Sequence, residues 1–130
     1  CVAATTEDPL FGPVVSFRLG GVFPAVLGDI AYRIPPLTNE DARMLIRAPK
    51  SSALLTGGAL LDTTVPEAVD LDALADLVAR LGQLADDLPE VAVLELNPIV
   101  AHAKGVAVLA ATGRVARPLA RTDLEARRLL

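Results

Sequence analysis

Tryptophan is absent from this chain of 130 residues, and it has one tyrosine, three phenylalanines, one cysteine and one histidine. With aromatics at 3% and hydrophobic residues at 52%, any core must be built from aliphatic side chains. The lone Cys1 excludes an intramolecular disulfide and a cysteine-rich zinc site, and predicts a reducing, cytoplasmic setting. A single histidine, His102, excludes the usual multi-histidine metal sites within this chain. The longest charge-free run, Ser51 to Leu61, is too short to cross a bilayer, so no membrane association is expected. No basic segment followed by an apolar stretch opens the chain. It starts Cys-Val-Ala-Ala without a methionine, which reads as one domain, 1–130, cut from a larger multidomain protein.

What is present suits a folded domain. At this length roughly two thirds of the unfolded chain's area can leave water. Charged residues at 22% and a net charge of −4 describe a globular chain whose acidic balance argues against nucleic acid as a partner. The charge is uneven. Residues 1–100 carry six basic and fourteen acidic side chains, whereas residues 101–130 carry six basic and two acidic ones. The arginines at 114, 117, 121, 127 and 128 could meet an anionic ligand; a solvated edge pairing with the acidic body is the simpler reading.

Ten prolines and nine glycines punctuate the chain into short elements. Val14–Phe17, Val22–Leu27 and Ile30–Ile34 read as strands of an antiparallel meander, separated by turns at Gly20-Gly21 and Gly28-Asp29. A helix starting at Thr38 has capping-box spacing to Asp41 and an apolar stripe of Ala42, Leu45 and Ile46, with Pro49 beyond it. A loop through Gly57-Gly58 runs to Pro66. A second helix, capped by Asp70, repeats Leu74, Leu77, Val78, Leu81, Leu84 and Ala85 on one side up to Leu88-Pro89. That stripe should pack on a sheet containing Val14, Phe17, Val93 and Val108 or their immediate neighbours, with Gly82 a mild weakness. Val91–Leu96 and Val106–Ala111 read as further strands, with Ile99–Ala101 extended between them. The order predicts an α+β fold, two main helices on a mainly antiparallel sheet.

The most informative motif is Glu95-Leu96-Asn97-Pro98. On a strand, residues two apart share a face, so a carboxylate and an amide oxygen stand side by side, hard donors suited to Mg²⁺. The plainer alternative is a strand-end glutamate beside an asparagine that caps a turn. Leu19-Gly20-Gly21 is a hairpin turn first and a phosphate cradle second. Thr56-Gly57-Gly58 lacks the lysine and the context of a P-loop. Arg33 could pair with a phosphate or with Asp29, and the ion pair is the simpler expectation.

Asp8-Pro9-Leu10-Phe11-Gly12-Pro13, Leu19-Gly20-Gly21-Val22-Phe23, Tyr32-Arg33-Ile34-Pro35-Pro36-Leu37-Thr38 and Leu94-Glu95-Leu96-Asn97-Pro98, in this order, resemble one known family. It is the ATP-grasp domain of NDP-forming acyl-CoA synthetases, including acetate–CoA ligases. The closest likeness is to actinobacterial modules fused to GNAT-type acetyltransferases. The resemblance covers essentially the whole chain and implies the carboxyl-terminal lobe of the domain. It further implies Mg-ATP or Mg-ADP as cofactor, and Glu95 and Asn97 as metal ligands. Gly20, Gly21 and Arg33 would lie near the nucleotide. Its partners would be the remaining ATP-grasp lobe, CoA-binding domains and acyl-CoA. The family's phosphohistidine lies outside the matched region, and His102 corresponds to no such position. Ala25 stands where family catalysts commonly have a glutamate, and Ala110-Ala111-Thr112 where they commonly have Asp-Ala-Arg. Arg18 replaces a usual glycine. These departures imply a degenerate site, and a non-catalytic module beside a lysine acetyltransferase is the rival expectation.

Overall fold

A computed structural model describes residues 1–21, 26–57 and 68–118. Its strands are β1 (Val2–Asp8), β2 (Gly12–Arg18), β3 (Ala31–Arg33), β4 (Val91–Leu96), β5 (Ile99–His102), β6 (Gly105–Val108) and β7 (Ala111–Val115). Its helices are α1 (Asn39–Arg47) and α2 (Leu71–Asp87), with a 3-10 helix at Lys50–Thr56 between them. Five strands form one antiparallel sheet in the order β3-β2-β1-β4-β7, and β5 and β6 pair separately. The α+β reading holds.

Strand alternation divides the sheet into two faces. Ala3 and Thr5 of β1 and Val15 and Phe17 of β2 are buried beneath the helices. They meet Ala42, Leu45 and Ile46 of α1 and Leu74, Ala75, Val78 and Leu81 of α2. α1 begins as its sequence predicts. The Asp41 amide donates to Thr38 Oγ1 at 3.0 Å, and the Thr38 amide donates to Asp41 Oδ2 at 2.9 Å. Asp70 caps α2 by accepting from the Ala73 amide at 2.9 Å. The guanidinium of Arg43 ties the helices together, donating to Asp72 at 3.1 Å.

Three expectations need correction. β1, the central strand, was not anticipated at all. β2 pairs directly with β3, Ser16 opposite Tyr32, so no strand stands between them as the meander required. Residues 22–25 of the expected middle strand lie outside the described residues, and its remaining Val26 and Leu27 are exposed and not in a strand. Val106–Ala111 is two strands, because Pro98 on the facing segment has no N–H to continue the ladder. One register nevertheless crosses the break, from Leu96 opposite Ala111 to Ile99 opposite Val108. It is kept by the Asn97 amide on the Ala110 carbonyl (3.0 Å) and the Leu109 amide on the Pro98 carbonyl (2.9 Å). The packing of α2 on the sheet follows the expectation: it meets β1 and β2 and touches β6, resting on Phe17 and on Val15 and Leu94, the immediate neighbours of Val14 and Val93, which belong to the other face.

Gly82 is better explained by packing than as a weakness. A Cβ there would lie 3.2 Å from two carbons of Leu37, so glycine lets the Pro35–Leu37 segment lie close against α2. The loop expected through Gly57-Gly58 opens with the 3-10 helix, and residues 58–67 lie outside the described residues. Among the described residues no helix is long and apolar enough to cross a membrane.

Leu74 is fully buried whereas Leu77 is only partly so. Leu74→Ala should therefore cost about 2–5 kcal/mol, and Leu77→Ala distinctly less. Urea unfolding of the two variants checks the ranking.

Candidate functional site

β4 is built to present two polar side chains on the face that carries no helix. Leu96 is buried on the helix side, so Glu95 and Asn97 point the opposite way. Glu95 stands between Ala4 of β1 and Thr112 of β7, and Ala4 is in turn opposite Ser16, which is opposite Tyr32. A single row, Tyr32–Ser16–Ala4–Glu95–Thr112, therefore crosses the open face. Asn97 lies one pleat further, at the strand end where Pro98 breaks the ladder. Its backbone amide is held by the carbonyl of Ala110.

The pair is preorganised. Asn97 Nδ2 donates to Glu95 Oε1 at 3.0 Å, which leaves Glu95 Oε2 and Asn97 Oδ1 available as acceptors. Both are hard oxygens, but Glu95 is alone: the described residues contain no group of three acidic, histidine or cysteine side chains placed for a metal. Ala110 adjoins the pair, its carbonyl accepting from the Asn97 amide. Thr112, named in the sequence only as the end of the Ala110-Ala111-Thr112 run, is a hydroxyl neighbour opposite Glu95, a placement that only the antiparallel register shows.

The other residues singled out in the sequence fall at different distances from this pair. Gly20 reaches the same end of the sheet, where an added Cβ would meet the backbone nitrogen of Cys1 at 3.7 Å. Cys1 exchanges backbone hydrogen bonds with Ile99, two residues beyond Asn97. Gly21 follows with φ +106°, a conformation that favours glycine. Arg33 is elsewhere. It sits on the edge strand, three strands from β4, or about 14 Å at ordinary strand spacing. Its guanidinium donates to the Tyr32 carbonyl, and its charge acts on Asp41. Asp29 is not its partner: that carboxylate accepts from the Lys50 and Ser51 amides and the Ser51 hydroxyl, holding the start of the 3-10 helix. His102 is exposed in the β5–β6 turn and accepts from the Lys104 amide at 3.3 Å. Ala25 lies outside the described residues.

Beside the row is a hollow of about 740 Å³, lined by Thr6, Asp8, Phe11, Val14, Ser16, Tyr32, Arg33 and Ile34. Phe11, Tyr32 and Ile34 are each about half exposed there. Toward β3 the hollow thus carries apolar side chains together with the charged Asp8 and Arg33.

Comparison with known proteins bears on this face. The sequence profile of the ATP-grasp domain family matches residues 1–115. The β subunit of the ADP-forming acetate–CoA ligase I of Pyrococcus furiosus is 39% identical over 101 residues, 78% of this chain and 41% of the subunit. The ADP-forming acetate–CoA ligase I of Archaeoglobus fulgidus is 38% identical over 108 residues, 83% of this chain and 15% of that protein. Among solved structures, the dinucleotide-forming acetyl-coenzyme A synthetase 1 of Ca. Korarchaeum cryptofilum superposes with a TM-score of 0.80 at 35% identity. It covers 88% of this chain and 52% of its own, and was determined in complex with coenzyme A and Mg-AMPPCP, its phosphohistidine segment pointing towards the nucleotide-binding site. The chain therefore spans about half or less of each relative.

The bonds that hold Asp29 carry a pH signature. The hydroxyl and amide of Ser51, then the amide of Lys50, keep its carboxyl below the ordinary 3.8. A carboxyl lowered on folding stabilises the fold fully above the unfolded value, and that contribution is lost as pH falls through the folded one. Between pH 5 and pH 3 the denaturation midpoint should fall further for the native protein than for Asp29→Asn. Equal falls would mean that this carboxylate is not linked to folding.

Proposed function

The chain belongs to the ATP-grasp domain family, in the form carried by ADP-forming acyl-CoA ligases, and on that premise we propose that it is the second lobe of a nucleotide site used in acid–CoA ligation. The observation that carries this reading is the Glu95–Asn97 pair, fixed by its own hydrogen bond at the strand end beside Gly20. One carboxylate and one amide oxygen are a thin protein donor set, but Mg²⁺ accepts such sets when substrate phosphates and water complete its shell. The residues present thus fit the ion. Bound there, Mg²⁺ would offset phosphate charge as a phosphoryl group moves.

The chain's own contribution is positional. Glu95 and Asn97 orient their free oxygens over the open face, and the backbone N–H groups of the Gly20-Gly21 turn offer donors to phosphate at the same end. The other ATP-grasp lobe, the CoA-binding domains and a phosphohistidine segment would come from other parts of a cytoplasmic multidomain protein.

One observation favours a second reading. Ala110 occupies the place beside Asn97 where a further carboxylate would strengthen the metal site. On that reading the lobe is a weakened nucleotide sensor or interaction module attached to a protein acetyltransferase. The two readings part on turnover. The full-length protein, given acetate, CoA and Mg-ATP, forms acetyl-CoA under the first reading and none under the second. The isolated chain forms none under either.

The inherited metal site has its own test. In the protein carrying both lobes, Ala110→Asp should tighten Mg-ATP binding about tenfold, as expected for one added anionic ligand. Glu95→Ala on that background should abolish the gain. Isothermal titration measures both, and an unchanged affinity in Ala110→Asp would place the metal elsewhere.

A further inference from the structure

Arg18 is the last residue of β2, and strand alternation places it on the helix-free face with Val14 and Ser16. Its pairing partner is Val2. On the other edge of β1, Ala3 is opposite Leu96 and Cys1 exchanges hydrogen bonds with Ile99, so Val2 faces the Asn97-Pro98 segment between them. Arg18 and Asn97 stand two strand spacings apart, about 9–10 Å between their backbones, with the Gly20-Gly21 turn immediately after Arg18.

Among the described residues no carboxylate pairs with the guanidinium. The ion pairs among the described residues use Arg43 and Arg80. Arg18 donates to the neighbouring Leu19 carbonyl at 3.2 Å, which leaves most of its five N–H donors available. Glu95, the carboxylate of the adjacent row, is engaged by the Asn97 amide instead. A half-buried arginine in a site with a single acidic side chain is suited to an anion. Its planar fork matches two phosphate oxygens, and it is charged at every physiological pH.

We propose that Arg18 is a phosphate-binding residue through which this lobe holds a nucleoside polyphosphate without requiring a divalent cation. The inference rests on the nucleotide reading above and adds to it: a fixed cation performs part of the charge neutralisation that a richer acidic site would leave to Mg²⁺. It also fits an arginine on the open face together with Ala110 beside Asn97. The alanine leaves no anion to repel phosphate, and the arginine attracts it.

The experiment titrates the full-length protein and its Arg18→Gln and Arg18→Lys variants with ATP, in Mg²⁺ and in EDTA, and with adenosine. The unaltered protein should retain ATP binding in EDTA. Arg18→Gln should lose about tenfold or more in EDTA, since it gives up charge-assisted hydrogen bonds to phosphate, with a smaller loss in Mg²⁺. Arg18→Lys should fall between the two, and adenosine affinity should not change. Thermal melting shows whether each variant is folded, and Arg18→Lys decides the matter if Arg18→Gln is not. Equal ATP affinities in EDTA overturn the proposal, as does a parallel loss for adenosine. Binding by the unaltered protein in Mg²⁺ but none in EDTA overturns it while leaving the nucleotide reading intact. No ATP binding under any condition overturns both.

Discussion

The pairing of β1 on both of its edges is the constraint from which the rest of the structure follows. Along one edge every residue from Val2 to Asp8 meets β2, and along the other Ala3 to Thr6 meet β4. Ala4 is thereby fixed between Ser16 and Glu95, and Val2 beside Arg18. The ladder closes through a tight turn in which Asp8 accepts from the Leu10 and Phe11 amides and Gly12 adopts φ +73°. A slip of one residue would send every side chain to the opposite face, burying Glu95 and exposing Phe17. Register in this strand is what makes the Gly-Gly end of β2 and the Glu-x-Asn end of β4 into one place.

The two halves of the sheet differ in how firmly they are held. Over β1 and β2 the helices bury small and branched side chains, and even the Thr5 hydroxyl is enclosed without a hydrogen-bond partner. Such a group costs stability, and the surrounding aliphatic packing has to offset it. Over β4 and β7 the cover thins. Every residue of β7 is exposed, including Val115 at 78%, and the strand is irregular opposite Val91 and Val93. Gly113 belongs there for a steric reason, since a Cβ would sit 2.9 Å from the Val93 carbonyl oxygen. Glu95 and Asn97 thus lie at the seam, on a strand anchored by β1 on one edge and open toward β7 on the other.

Helices, caps and motifs were legible in the sequence because their signals are local. Thr38 with Asp41 and Asp70 with its apolar stripe give helix starts that tertiary contacts only reinforce. The Glu95–Asn97 face followed from period-two geometry. What could not be read was pairing. β1, Val-Ala-Ala-Thr-Thr-Glu-Asp, lacks both a hydrophobic run and clean alternation, because it is covered on one face and half-covered on the other. Val106–Ala111 read as one strand because nothing in its own residues reports that Pro98, on the facing segment, interrupts the ladder. Arg33 was assigned to a phosphate or to Asp29 from charge alone. The structure gives Asp29 to a helix start, a backbone partner that sequence spacing across 21 residues does not reveal. Arg18 stood out in the sequence only as a departure from the glycine usual in the family it resembles, and the β1–β2 register sets it opposite Val2 on the open face.

The division of faces also separates stability from chemistry within single strands. In β4, Leu94 and Leu96 point toward the helix side, and Leu96 is nearly closed off from solvent, while Glu95 and Asn97 point to the open face. In β2, Val15 and Phe17 are fully buried while Ser16 and Arg18 stand opposite them. A change at an odd position of β2 or an even position of β4 acts on the core. A change one residue away acts on the charge and donor pattern of the open face with little effect on packing. Antiparallel pairing carries that rule across strands, so Thr112 inherits the open face from its partner Glu95. The site can therefore lose a carboxylate at one position and gain a guanidinium at another while the aliphatic layer beneath it is untouched. That is the physical basis on which a lobe of this fold can change how it holds a ligand without changing how it folds.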